Sequence, residues 1–431
     1  MTLGNAPLDV AIVGGGIAGV IHLYYARRAG LAARVFEKGP GVGGLWRTLP
    51  AWQDIQISTA DWALAGVPLD GALQPQVLAN IQGWVDRFGL ADGIQLDTPV
   101  LHAAPGAETW TLHTPQGELR ARHLVAATGG HNRPRVPPVV REGSTIREWH
   151  ASALHDPTEL RDRAVVVVGG GASAFDLLEL CFEHGARHVT WVHRGLKWFI
   201  PTTKSKRVAG SVRGFARLQA SGQSVAEQSA TLDADMRARY ARFGLQAIVP
   251  ARPFDVLTDQ LFPGRPRMLA NFGAIDRIPG SVQSISGRTL TVSGGRTVDA
   301  DLLLWGTGYE IDLSWLDVPG LAAMRTTNDL VQRCACIFRS LDADRLYLPQ
   351  VGLDGIGAAP WAYALMARTI MSHIRGTARL DLDPVGHKVN HFDMVSYLAP
   401  RDPGSFAPGH WQAQFRDLAL QTADDQPYPM P

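Results

Sequence analysis

Three glycines and one carboxylate at fixed spacing carry the first piece of chemistry in this chain: Gly14, Gly16 and Gly19 in DVAIVGGGIAG (residues 9–19), followed by Glu37. The apolar run from Val10 to Val13 reads as a strand, the glycines as a tight turn, and Ile17 to Arg28 as a helix. In that setting Gly14 makes the turn, and Gly15 and Gly16 let backbone N–H groups approach a pyrophosphate. Gly19 lets the helix pack closely on the strand, and the helix N-terminus, with Ile17 and Ala18, supplies partial positive charge. Glu37 ends the next run, ARVFEK, near the spacing of about 20 residues expected of an acid that accepts hydrogen bonds from a ribose diol. The same carboxylate repels a 2′-phosphate, so the first ligand is expected to be FAD or NAD and not NADP. A glycine-rich turn in an ordinary α/β sheet would leave Glu37 without a role.

The pattern recurs at residues 164–194 with one change of sign. AVVVV runs into Gly169, Gly170, Gly171, Ala172, Ser173 and Ala174, and a helix follows with Phe175, Leu177, Leu178 and Cys181 inward. Asp176, Glu179 and Glu183 are expected outward, and Gly185 stops the helix. The strand HVTWVH then ends in Arg194 where the first unit has its acid, with Lys197, Lys204, Lys206 and Arg207 nearby. A guanidinium at the strand tip binds a 2′-phosphate bidentately. Two fingerprints imply two dinucleotides: FAD on the first and NADPH on the second.

The elements that must position these residues set the fold class. At 431 residues the chain is long enough for two or three domains. The reading is an α/β protein of two Rossmann-like dinucleotide-binding domains, the second inserted in the first, with a helical insertion. Residues 1–155 form the first part of the FAD-binding domain, 156–305 the NADPH-binding domain with a helical and proline-rich insertion at 199–280, and 306–431 the rest of the FAD-binding domain and a C-terminal tail. A hydrophobic content of 45%, a charged content of 19% and a formal net charge of +1 describe a globular chain with a large core. Nothing in that balance points to nucleic acid or a membrane surface. No apolar run approaches the ~20 residues that span a bilayer, and the N-terminus has no basic stretch before an apolar signal core, so a cytoplasmic location is expected. Three cysteines, Cys181, Cys334 and Cys336, make no disulfide framework and no metal cluster, and core packing is the expected role of the last two.

Between the motifs, the loop KGPGVGGLWRT (residues 38–48) offers Lys38, Gly44 and Leu45 as backbone that can lie against a flat ligand, with Trp46 to cover an aromatic ring. Residues 52–69 are irregular, and a helix is expected over about 75–88. Strands are expected at 94–100, 108–113 and 123–127, with a hairpin turn at Gln116-Gly117, before a proline linker at positions 134, 137 and 138. In the insertion, Leu232, Met236, Tyr240 and Phe243 share one helix side. A lid, a pocket wall, a surface excursion and a subunit contact all fit this segment, so a homodimer is compatible with it. A hairpin with Gly294-Gly295 at its turn, a buried strand at 301–305, a strand at 346–351 leading to Asp354, and a helix from near Pro360 complete the chain. Tyr363, Met366, Ile370 and Ile374 fall at helical spacing in that last helix.

Taken in order, GGGIAG (14–19), EKGPGVGGLWR (37–47), ATGGHNRPRVP (127–137), VVVVGGGASAFD (165–176), VHR (192–194) and DLLLWGTGY (301–309) resemble the class B flavoprotein monooxygenases. That group includes the flavin-containing monooxygenases, the Baeyer–Villiger monooxygenases and their plant auxin-pathway relatives. The resemblance implies that Thr128-Gly129 and Thr307-Gly308 are where the chain crosses between two domains, and that the Val100 backbone contacts the adenine of FAD. It also implies an activity: NADPH reduces FAD, the reduced flavin captures O2 as a C4a-(hydro)peroxide, and one oxygen atom passes to a small-molecule substrate. A soft nitrogen or sulfur nucleophile is the expected acceptor. The family signature FxGxxxHxxx(W/Y/F) would fall on Ser144 to Leu154, where only His150 fits: Ser144, Ile146 and Leu154 replace Phe, Gly and the aromatic residue. His150 is therefore expected as a hinge side chain bonded to backbone. Where many relatives carry an Asn near the flavin, this chain has Ala60, and Asp61 beside it is the candidate polar active-site group. Two other readings use the same scaffold: an NADPH–acceptor reductase working through the Cys334/Cys336 pair, and a redox-sensing flavoprotein that signals through the insertion.

Overall fold

The computed structural model describes residues 6–55, 69–201, 223–255, 259, 262–327, 329–335, 338–349 and 359–377. Asp61, Ala60, Asp354, Cys336, Lys204, Lys206 and Arg207 lie outside them. Two parallel-rich sheets organise the chain, one around each glycine fingerprint. In the first, nine-stranded sheet the strand Leu8–Val13 sits centrally, in parallel with Ala33–Phe36 on one side and Gly117–Ala126 on the other. Burial on both faces explains why residues 10–13 are apolar without alternation. The helix Ile17–Arg28 covers one face and itself lies under the late helix Ala359–Ile374, whose Tyr363, Met366 and Ile370 are buried as their spacing predicts.

The second sheet has five strands, all parallel, in the order Ile275–Pro279, His188–His193, Ala164–Val168, Leu302–Trp305, Arg147–His150. Its strands fall in sequence between those of the first sheet, so the second Rossmann-like unit is inserted in the first. A small four-stranded sheet carries the expected hairpin, Thr289–Val292 against Thr297–Asp299, with Gly294 and Gly295 at positive φ of 88° and 81°. Among the described residues, no helix is long and apolar enough to cross a membrane.

Several expectations are corrected. The strand expected at 94–100 is only Ile94–Gln95, because the chain then bends around Glu37: Asp97 takes φ 50°, and Thr98 N–H donates to the Glu37 carbonyl at 2.8 Å. The return arm of the 116–117 hairpin and the strand expected at 123–127 are one ten-residue strand, Gly117–Ala126, which starts as an exposed antiparallel ribbon and ends as a buried parallel strand. Of the strand expected at 346–351, residues 346–349 are described and contain the strand Leu346–Tyr347, while 350 and 351 lie outside the described residues.

The largest correction concerns the outer face of the second fingerprint helix, Ala172–Glu183. Asp176 and Glu179 are 3% and 1% exposed, not solvated, and only Glu183 points out. The insertion explains this. Its described part comprises the helix Val225–Arg242, a two-residue strand Phe262–Pro263 paired with Phe199–Ile200, and a short helix Pro266–Ala270 that lies on Ala172–Glu183. Arg265, fully buried, donates from Nε to Asp176 Oδ1 at 2.6 Å and from Nη1 to the Pro263 carbonyl at 2.6 Å, while the Met268 N–H donates to Glu179 Oε2 at 2.8 Å. Phe175, Phe199 and Phe262 pack around this polar seam with ring centroids 4.8–6.3 Å apart.

One buried group makes the first unit sensitive to acid. His22 is fully buried in the first fingerprint helix, its Nδ1–H donating to the Ala18 carbonyl at 2.7 Å, and burial lowers its pKa from 6.5 to about 4. The unfolded chain takes up this proton first, so stability is lost as pH falls from about 6.5 towards 4. By pH 5 this one group removes about 2 kcal/mol. Unfolding midpoints of the wild type and His22→Leu, followed from pH 7 to pH 5, should diverge, with the wild type falling more steeply. Parallel curves would exclude His22 as the source.

Candidate functional site

In the first loop Gly14 has φ 107°, and a Cβ there would meet the Ala127 carbonyl oxygen at 2.6 Å; a Cβ on Gly19 would lie 1.9 Å from the Gly14 carbonyl oxygen. Both positions therefore require glycine. Gly16 and Gly44 face each other so closely that a Cβ on Gly44 would be 2.9 Å from the Gly16 Cα, and Gly43 N–H bonds the Gly15 carbonyl at 2.9 Å. Glu37 joins the two loops: Oε2 accepts from Gly15 N–H at 2.6 Å and Oε1 from Gly39 N–H at 2.7 Å. The carboxylate thus holds the glycine loop in shape and keeps lone pairs for a further donor. Lys38 is exposed beside it, and Leu45, Trp46 and Val100 are half-buried, Trp46 and Val100 packing on the first core. At the end of Gly117–Ala126, Thr128 lies against the turn, its Oγ1 buried and without a hydrogen-bond partner among the described residues.

The second loop repeats the geometry with one exchange. Gly169 has φ 141° and faces the Gly306 carbonyl oxygen, which a Cβ would meet at 2.2 Å; the Trp191 Nε1–H donates to the Gly169 carbonyl at 2.6 Å. The third fingerprint position is Ala174, and its methyl is accommodated because the facing residue is Gly306, where a Cβ would be 2.8 Å from the Ala174 Cα. Sequence reasoning passed over Gly306, although an alanine at the third position signals the need for a small partner. Gly171 faces open space, with nothing within 4 Å of its Cβ position.

Both helices, Ile17–Arg28 and Ala172–Glu183, start from a glycine N-cap with no side-chain cap and no acid in the first turn. Among the described residues, their first N–H groups, Ser173 included, are free of side-chain acceptors, the arrangement that receives a phosphate. Arg194 stands exposed just past His188–His193, with no ion-pair partner among the described residues. Beside it, a cavity of about 850 Å3 opens between the strands His188–His193 and Ile275–Pro279 and the insertion residues 247–252, with Lys197, Arg252 and Arg277 in its wall. Sequence reasoning missed Arg252 and Arg277, which come to this place from the insertion and the edge strand.

The two crossing segments are laced together. Arg133–Pro134 and Tyr309–Glu310 pair as a short antiparallel ribbon. Asn132 donates to the Thr128 carbonyl at 2.7 Å and accepts from Asp312 N–H at 3.0 Å, and Thr307 Oγ1 donates to the Arg135 carbonyl. Gly129 and Gly308 have φ near 80° (79° and 80°). His150, at the end of the strand Arg147–His150, ties that strand to the ribbon: Nδ1 accepts from Ser152 N–H at 3.2 Å, so Nε2 carries the proton and donates to the Gly308 carbonyl at 2.9 Å. Burial holds this imidazole below its usual pKa, with the Gly308 bond opposing. Its neutral form is a backbone clamp.

A sequence model of the family described as "Pyridine nucleotide-disulphide oxidoreductase" matches residues 11–227. Among curated relatives, an uncharacterized CzcO-like oxidoreductase of Geobacillus kaustophilus is 22% identical, over 73% of this chain and 84% of its own length. Phenazine N-monooxygenase PhzNO1 of Lysobacter antibioticus is 30% identical over 45% of this chain, and a Baeyer–Villiger monooxygenase of Streptomyces coelicolor 23% identical over 70%. The chain spans 38% and 64% of those two proteins. Among solved structures, OTEMO in complex with FAD and NADP superposes with TM-score 0.66 at 16% identity, covering 86% of each chain. An NADP-bound steroid monooxygenase superposes with TM-score 0.63 at 19% identity, covering 86% of this chain and 85% of its own. These likenesses agree with the two-unit fold built above from the glycine loops outward. With half of its length matched by the family model, the chain belongs to the pyridine nucleotide-disulphide oxidoreductases.

Proposed function

We propose that this protein is an FAD- and NADPH-dependent monooxygenase that places one oxygen atom from O2 on a small-molecule substrate, at a nitrogen or sulfur centre. The observation that carries the reading is the opposition of Glu37 and Arg194 at equivalent strand ends of two glycine-loop units. Gly14, Gly15, Gly16, Ile17, Ala18 and Gly19 would receive the FAD pyrophosphate, Glu37 the ribose diol, and Thr128 Oγ1, otherwise orphaned, a polar group of the same cofactor. Lys38, Gly44, Leu45, Trp46, Val100 and Gly129, with Asp354, complete that side. Gly169, Gly171, Ala172, Ser173 and Ala174 would receive the NADPH pyrophosphate, and Arg194 its 2′-phosphate. Bound FAD supplies the redox and oxygen chemistry, so the chain's own task is to bind, align and keep out water.

The His150–Gly308 clamp and the 133–134/309–310 ribbon would hold the two loops in register for hydride transfer. Asp61 remains the candidate polar group near the substrate. Oxygenation at nitrogen or sulfur is favoured over Baeyer–Villiger insertion by the residues at 144, 146 and 154, while the relatives include both an N-monooxygenase and a Baeyer–Villiger monooxygenase. A disulfide-reducing reading is disfavoured by the cysteines. Cys181 is fully buried, which pushes its thiol up to about 12, and burial raises Cys334 as well, whereas a reactive thiol needs a low pKa and access.

Arg194→Ala should raise the KM for NADPH by about 100-fold, the weight of two lost charge-assisted hydrogen bonds, and leave the KM for NADH unchanged. Product analysis with an amine, a sulfide and a ketone in NADPH and air should show N- or S-oxide. A colourless protein, or an unchanged NADPH/NADH preference in Arg194→Ala, would overturn the proposal.

A further inference from the structure

At the opposite ends of the second sheet's strands from the glycine loop, the starts of Arg147–His150, Ala164–Val168 and Leu302–Trp305 surround an open pocket of about 310 Å3. Three guanidinium groups, Arg147, Arg163 and Arg288, and two carboxylates, Glu159 and Asp301, line it, and a fourth guanidinium, Arg187, reaches Asp301 from outside the lining. Asp301, with a side chain only 15% exposed, accepts from Ala164 N–H at 2.8 Å and from Arg187 at 3.2 Å on Oδ2, and from Arg288 on Oδ1. Glu159 is matched by Arg147 at 2.6 Å. Arg163 lines the same pocket close enough to Asp301 to help hold that carboxyl below its usual range, after the Ala164 N–H, Arg288 and Arg187, yet it has no acidic partner of its own among the described residues. Thr145 shares the pocket wall.

The acids here do not cancel the site's charge. They orient the Arg147 and Arg288 forks and leave the lining one positive charge in excess, that of Arg163, over a concave surface, which focuses the potential inward. Arg187, which reaches Asp301 from outside the lining, adds a further positive charge at its edge. Arginine forks match the paired oxygens of a phosphate better than lysines would, and Arg163 is the fork whose donors no carboxylate among the described residues takes up. The volume suits a ligand well below nucleotide size. We propose that this pocket binds a small, multiply charged oxyanion of the size of inorganic pyrophosphate, with Arg163 as the guanidinium on which recognition depends. The site is separate from both glycine loops, and its occupant would tie together three strand starts that converge from distant parts of the chain.

The test titrates pyrophosphate into protein already saturated with FAD and NADP+, so that both glycine loops are filled, at constant ionic strength set with sodium chloride. Calorimetry should give one saturable site, and the melting temperature should rise with the same concentration dependence. Arg163→Ala should weaken binding about tenfold, the weight of one charge-assisted hydrogen bond, with Arg163→Lys in between. Arg194→Ala should leave pyrophosphate binding unchanged, which separates this site from the nucleotide phosphate site and this proposal from the functional one. ADP displacing pyrophosphate with the same Arg163 dependence would identify the ligand as the phosphate tail of a larger molecule and would equally support the site. Absence of saturable binding, or equal affinity in Arg163→Ala, would mean that the arginines are a solvated ion-pair network, and the proposal would fall.

Discussion

Gly19→Ala should yield a protein that no longer retains FAD and melts well below the wild type, while Gly171→Ala should fold normally. A methyl group on Gly19 would sit 1.9 Å from the Gly14 carbonyl oxygen and 3.0 Å from its carbon. Both atoms are backbone, locked by the turn whose Gly14 N–H bonds the Phe36 carbonyl at 2.9 Å, so no side chain can swing away. Overpacking that flexible side chains absorb costs about 1–3 kcal/mol, and this clash belongs at or above the top of that range. Relief requires the helix Ile17–Arg28 to lift from Leu8–Val13, which also withdraws the N–H groups meant for a pyrophosphate. Gly171 has φ −115° and an open Cβ direction, so alanine there meets no clash and should cost only the preference of the helix N-cap for glycine over alanine, about 1 kcal/mol or less. Any loss of NADPH affinity in that variant would report the ligand side of the second loop. Thermal melting with flavin absorbance checks the pair, and a stable, yellow Gly19→Ala protein would refute the packing argument.

The second large effect is expected at the seam between the insertion and the second fingerprint helix. Asp176 and Arg265 are 3% and 0% exposed at the side chain, and Arg265 Nη2 has no partner among the described residues. Removing one partner leaves the other charge buried without its main compensation, a loss of about 3–5 kcal/mol. Asp176→Ala and Arg265→Ala should each be that destabilising. The double replacement Asp176→Leu/Arg265→Met should recover most of the loss, because well-packed apolar pairs often match a buried ion pair. Denaturant unfolding of the three variants forms the cycle. Single losses below about 1 kcal/mol, or a double variant as poor as the sum of the singles, would show that the pair is not what holds the insertion down.

Both fingerprints, their helices and the sign of the charge at each strand end were legible in the residues themselves, because turn glycines, apolar runs and strand-end charges act within one βαβ unit. The hairpins at 116–117 and 294–295 were legible for the same reason: each turn signal needs only its flanking strands. Strand lengths were not. Ile94–Gln95 is cut short by the bend that seats Thr98 on Glu37, a contact set by a partner 61 residues earlier in the chain. The cavity beside Arg194 was also hidden, since its arginines come from different segments, and Arg252 belongs to a proline-rich stretch with no periodicity to read.

By itself, the order of residues determined two glycine turns, the helices they open, and an acid facing one nucleotide position and a base the other. Those are consequences of local backbone sterics and of charge placed one strand away. Only the folded chain decided that Asp176 and Glu179 are core residues, that Gly306 makes room for Ala174, and that His150 clamps the crossing ribbon through Gly308. A helix pattern states which side chains share a face but not what covers the face. Here the cover arrives from Arg265 and Met268, each 89 residues beyond its carboxylate, and burial follows from that return of the chain.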